Sequence, residues 1–129
     1  MEAAESDRTD VRREISRRMV SLFKEYVGRG PRHAQTFVEQ DLVVIVLADT
    51  LTKAEHSLAD DDREALVREV RRSFQGAMRE AAEGMVEELT GRRVRAFMSD
   101  HSIFPDYAIE AFVLEPTTPG EEDPPLDGP

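Results

Sequence analysis

The sequence predicts an α+β fold: two layers, an antiparallel four-stranded sheet with one long and one medium helix plus a short helix, in the order α-β-β-α-α-β-β. Three observations predict it. Residues 10–27 and 60–89 repeat apolar side chains at steps of three and four, the period of a helix with one buried face. Leu42-Val-Val-Ile-Val-Leu47 is a nearly unbroken, largely β-branched run of the kind found in well-covered strands. Two pairs of strand signals are separated by the helical stretches, which suggests two hairpins with the helices mainly on one face.

The first helix aligns Val11, Ile15, Met19, Leu22, Phe23, Tyr26 and Val27, with Thr9 or Asp10 to cap its start and Gly28 to stop it. Its polar side carries Arg12, Arg13, Arg17 and Arg18, diluted by Glu14 and Glu25. A stripe this regular suits a core-facing helix first, and a partner helix or membrane surface second. Thr36, Phe37 and Val38 form a first strand, Glu39-Gln40-Asp41 a turn, and Leu42–Leu47 the second strand. Thr52 followed three residues later by Glu55 has the spacing of a capping box, which predicts a short helix over Lys53–Ala59. Asp60, Asp61 and Asp62 suit the positive end of the next helix, whose expected apolar face is Leu66, Val70, Phe74, Ala77, Met78, Ala81, Met85 and Leu89. Three consecutive carboxylates lack the alternate spacing and closing Glu of a calcium loop. Thr90-Gly91 ends that helix. Val94, Ala96 and Met98 then alternate in a third strand, and Tyr107–Glu115 supplies a fourth, with Asp100–Asp106 read as the loop between them.

A sheet covered on one side leaves the other side of the Leu42–Leu47 run open, since its side chains point both ways. A second copy of the chain is the economical cover, because symmetric dimers lead among soluble oligomers; the expectation is a homodimer through the sheet face or the helices.

The chain has 129 residues, 17 basic and 27 acidic, for a net charge of −10. The acidity is concentrated at the ends: residues 1–8 carry −2 and residues 116–129 carry −4, leaving −4 for the rest. Residues 116–129 hold five of the seven prolines, too little apolar surface to offset ordering, so residues 1–8 and 116–129 read as disordered tails around one domain, 9–115. An acidic chain is a poor generic nucleic-acid ligand, which argues against DNA binding through the arginine face. No run approaches the roughly 20 apolar residues that span a bilayer, and no secretion signal is visible, so the expected location is cytoplasmic, without direct membrane insertion. The absence of cysteine removes disulfides, thiolate metal sites and cysteine nucleophiles.

No catalytic residue, metal site or cofactor signature stands out. Gly28-Arg-Gly-Pro-Arg32 offers a tightly turning backbone with two planar donors, so Gly28, Arg29, Gly30 and Arg32 form a candidate small-anion site; a helix stop with solvated arginines is the plainer reading. His101, between Asp100 and Asp106, is an alternative centre for a small metal-dependent enzyme, set against an ordinary solvated loop. His33 and His56 read as isolated.

Gly28-Arg-Gly-Pro31, Asp41-Leu-Val-Val-Ile-Val-Leu47, Leu51-Thr-Lys-Ala-Glu55 with Leu58-Ala59, Arg68-Glu-Val-Arg71, Glu87-Glu-Leu-Thr-Gly91 and Ser99-Asp100 together resemble the MpsC-like family, over about residues 10–115. The resemblance implies a component of a sodium-translocating, membrane-potential-generating system, and an accessory role in bicarbonate or CO2 supply. It brings no catalytic residues. With no spanning segment of its own, the chain would act on an ion only through an integral membrane transport protein as partner.

Overall fold

The computed structural model describes residues 2–116, with side chains from Asp10 onward. The elements are α1 (Glu2–Val27), β1 (His33–Glu39), β2 (Leu42–Ala48), α2 (Lys53–Asp60), α3 (Glu64–Thr90), β3 (Val94–Ser102) and β4 (Tyr107–Leu114). This is the expected order. The sheet is fully antiparallel with strand order β1-β2-β4-β3, so the two hairpins join through β2 and β4, and β1 and β3 form the edges.

The α1 stripe does what its spacing implies. Ile15, Met19 and Phe23 are buried, and Val11, Leu22, Tyr26 and Val27 pack around the same core. The helix is continuous from Glu2, so Thr9 and Asp10 lie inside it instead of capping it. Gly28 takes a left-handed φ of 92° and donates to the Lys24 carbonyl at 3.1 Å, a conformation that suits glycine. The first hairpin turns through Gln40 and Asp41, with Glu39 paired to Leu42 and Gln40 at φ 52°. Arg92 ties this turn to the start of β3 by bonding the Gln40 carbonyl, the Asp41 carboxylate and the Glu115 carbonyl.

In β2, Val43, Ile45 and Leu47 are wholly buried beneath α1 and α3, with Phe112, Leu114, Met78, Met85 and Val86. The alternate residues Leu42, Val44, Val46 and Ala48 face the other way and are only partly covered. The capping box at Thr52 is present as expected: the Thr52 hydroxyl accepts from Glu55 N, and the Glu55 carboxylate accepts from Thr52 N.

Three expectations fail in the second half. Asp60–Asp62 do not open α3. Asp60 ends α2, Asp61 caps it, Asp62 sits at φ 58°, and α3 begins only at Glu64. A left-handed residue is needed to reverse the chain between the two helices, and aspartate tolerates that conformation. The buried stripe of α3 is also rotated in its first half: Val67 and Arg71 point inward, whereas Leu66 is exposed. From Met78 onward the apolar residues take the face again, and Gly91 at φ 69° stops the helix. Finally, β3 continues through His101 and Ser102, so the loop expected at Asp100–Asp106 shrinks to the four residues 103–106, which include a cis Phe104–Pro105 peptide.

Candidate functional site

A polar cluster forms at the end of the sheet where the α1–β1 loop, the β2–α2 loop, the start of α2 and the β3–β4 turn converge. Backbone bonds bring them together: Arg32 N donates to the Ala48 carbonyl at 3.0 Å and Asp49 N to the Asp106 carbonyl at 3.1 Å. Beneath them lies Arg71, which enters from α3 and is almost fully buried. Its Nε and NH2 donate to the two Glu55 carboxylate oxygens, both at 2.6 Å, and NH2 also reaches the Thr50 carbonyl at 2.7 Å. Burial pushes the Glu55 carboxyl up, but the Arg71 and Thr52 hydrogen bonds outweigh it and hold the group below its usual range. The glutamate of the α2 capping box is thereby clamped to α3.

Asp106 is the second hub. Its Oδ1 accepts from the Thr50 hydroxyl and its Oδ2 from Leu51 N, each at 2.9 Å. His101 Nε2 stands 3.6 Å from Oδ1 and His56 Nε2 3.9 Å from Oδ2. His101 is buried, not solvated as the loop reading expected, because the strand that carries it points it under α3. Burial and the nearby Arg71 push its pKa down, against the pull of Asp106 and Glu55. Asp100, read as its neighbour in a cluster, lies on the opposite face of β3 and accepts from His101 N with its carboxylate. In its place, His56 and Asp49 approach Asp106: one donor atom from each of Asp49, His56 and Asp106 lies within 4.8 Å of the other two, a grouping able to hold a metal ion. His56 is therefore not isolated.

The Gly28–Arg32 loop borders this cluster. Arg29 bonds the Leu51 carbonyl and pairs with the Asp49 carboxylate at 3.0 Å; Arg32 is exposed nearby, and Gly30 packs against Lys24 and Val20. The Arg29 hydrogen bond, joined by the charges of Arg29 and Arg32, holds Asp49 below its usual pKa. Arg29 thus already holds an oxyanion, and that oxyanion belongs to the chain itself.

Further along the core, Glu110 is buried on the helix-facing side of β4, opposite Ser99. Burial pushes its carboxyl up to about 7 despite Ser99 and Arg71. On the other side of the sheet, Phe37, Leu42, Met98, Tyr107 and Ile109 all project from one face by the strand register and remain exposed, around the half-covered Val44, Val46, Ala111 and Val113. The arginine face of α1 borders a groove of about 580 Å³ with β1, lined by Arg12, Arg13, Arg17 and Phe37 among others; Arg17 pairs with Glu14, and Arg18 with Glu88 of α3.

Residues 7–116, nearly the whole described chain, match the family described as Na+-translocating membrane potential-generating system (MpsC). The chain belongs to the MpsC family. A Bacillus subtilis (strain 168) protein, the uncharacterized protein YbcI, is 27% identical over 90 residues, covering 69% of this chain and 73% of YbcI. No solved structure matches. The MpsC match includes all of the elements that build the polar cluster and the open sheet face. Among the described residues, no helix is long and apolar enough to cross a membrane.

Sequence reasoning missed Arg71, Glu55, Thr50 and Glu110 as buried polar groups. For Arg71 a signal existed: it stands four residues after Val67 and seven before Met78, on the apolar stripe that the helix buries. His56 carried no signal, because Asp106 stands 50 positions away and Asp49 belongs to the loop before the helix.

Proposed function

We propose that this MpsC-family chain is a non-catalytic accessory module of a membrane potential-generating system, which pairs with a second copy through the open face of its sheet and supports cation or inorganic-carbon transport by contact with an integral membrane protein. The observation that supports it most is the open face. Five large apolar side chains stand exposed on one side of a single sheet, where monomeric proteins rarely gather so many. Sheets pack face to face when their twists match, and a second copy offers a matching twist by construction. Light scattering on the full chain at micromolar concentration tests this: the mass of two chains is expected, and the mass of one chain overturns it.

Within the same role, the Gly28, Arg29, Gly30 and Arg32 loop is the place for a small, bicarbonate-like anion. The support is the pairing of Arg29 with Asp49, an internal carboxylate that a free anion has to displace, while Arg32 is exposed on the same loop. A thermal-shift series with bicarbonate, phosphate and sulfate reads the outcome, since a ligand that prefers the folded state raises its stability. Stabilisation by bicarbonate that disappears in Arg29→Ala/Arg32→Ala supports the site; identical shifts in the variant remove it.

A further inference from the structure

The donors of Asp49, His56 and Asp106 come from three separate segments: the β2–α2 loop, the first half of α2 and the last residue of the β3–β4 turn. Asp49 is held at φ 59°, and Asp106 is locked by Thr50 and Leu51 N–H. Each of the two Asp106 bonds takes one lone pair of a different oxygen, so both oxygens keep acceptor capacity toward the cluster.

A second, independent observation points the same way. The His101 side chain is only 5% exposed, neither of its ring nitrogens has a hydrogen-bond partner among the described residues, and Nε2 is aimed at Asp106 Oδ1 from 3.6 Å. Buried polar atoms are nearly always satisfied, and an imidazole left without partners beside a carboxylate marks a place where something more is held. Metal-bound carboxylates and histidines are habitually oriented by such a second group.

The donor chemistry selects the ligand. One imidazole nitrogen with two carboxylate oxygens suits a first-row divalent cation such as Zn2+ better than calcium or magnesium, which favour oxygen alone. Tetrahedral zinc with bonds of about 2.0–2.2 Å sets its donors roughly 3.3 Å apart, a contraction from the 3.9 Å between His56 Nε2 and Asp106 Oδ2. His56 and Asp49 are partly exposed, so side-chain rotation supplies that movement. Arg29 is the internal competitor, because its guanidinium occupies the Asp49 carboxylate that the cation needs.

We propose that Asp49, His56 and Asp106 bind a first-row divalent cation of the zinc type, with His101 orienting Asp106 from the buried side and Arg29 yielding Asp49 when the cation enters. The site joins a loop, a helix and a turn at one end of the sheet and leaves a coordination position open to solvent or a small ligand.

The test is a Zn2+ titration of the full chain after chelator treatment, read by competition with a chromogenic chelator and by calorimetry. One equivalent is expected to bind. His56→Ala, which changes a side chain 44% exposed, removes that binding while the helical circular dichroism stays unchanged. His101→Ala weakens it by about tenfold to a hundredfold. Arg29→Ala tightens it. Co2+ in place of Zn2+ gives the intense visible absorption of a tetrahedral site in the wild type and not in His56→Ala. Failure of the wild type to bind Zn2+ overturns the proposal, as does binding in His56→Ala or His56→Gln with wild-type affinity.

Discussion

The two faces of the sheet are made by the same strands and largely the same residue types, yet they are finished differently. Toward the helices, Val43, Ile45, Leu47, Phe112 and Leu114 are sealed, and even the polar groups on that side, Arg71, Glu55, Glu110 and His101, are taken out of water. Toward the outside, Val44, Val46, Ile109 and Ala111 continue the same strands with no covering element among the described residues. The covered face carries the stability of the domain and the constraints on its polar cluster. The open face adds little to the folded chain and is free to be used in association. Substitutions on the two sides are therefore expected to separate into those that unfold the protein and those that leave it folded and, under the proposed pairing, single.

The largest effect is expected at Arg71. Arg71→Ala leaves Glu55 buried and uncompensated, and breaking one partner of a buried pair costs about 3–5 kcal/mol. Urea unfolding measures it, and Arg71→Leu combined with Glu55→Leu is expected to recover much of the loss, because the desolvated charge disappears with its partner.

Glu110 gives the next effect, and its sign depends on pH. The folded-state carboxyl, at about 7, keeps its proton to higher pH than the unfolded one near 4.5. Between those values the folded chain binds more protons, so stability falls as pH rises from about 4.5 through 7 and then levels off. Glu110→Gln removes that slope and gains up to about 3 kcal/mol at pH 8, with no gain below pH 4. Thermal melts of both proteins across this range read the crossover; parallel pH profiles contradict the buried placement of Glu110.

Thr52→Ala sharpens the account of how the covered face is tied to the loops. It removes the hydroxyl of the capping box and is expected to cost about 1 kcal/mol, well short of the Arg71 effect. Chemical denaturation is sufficient to rank the two.

The smallest effect on folding belongs to the open face. Ile109→Lys is expected to change the unfolding free energy by less than about 1 kcal/mol, within the span of strand preferences, while sedimentation shows the pair of chains falling to one. A large loss of stability here erases the distinction between the two faces.

Much of this fold was legible because its signals are local. The α1 stripe, the Thr52–Glu55 box, the stops at Gly28 and Gly91 and the apolar run of β2 each express themselves within one or two turns of chain. The misreadings come from residues whose surroundings are remote. Arg71 looks like a surface charge on a helix until α2 supplies Glu55. Asp60–Asp62 look like the start of a helix until the preceding helix is seen to need them for its exit. The candidate site was the least legible part. The Asp100-His-Ser sequence followed by Pro105 looked like a loop, so the strand alternation that buries His101 and turns Asp100 outward was lost. His56 meets Asp106 only after the two hairpins assemble.

The chain contains no cysteine, so a single Ile109→Cys substitution carries one nitroxide label to the centre of the open face. Electron paramagnetic resonance of that labelled protein at micromolar concentration addresses the face directly. An immobilised spectrum with a dipolar signal between two labels is the result predicted for paired sheets. A freely mobile label with no inter-spin coupling contradicts it.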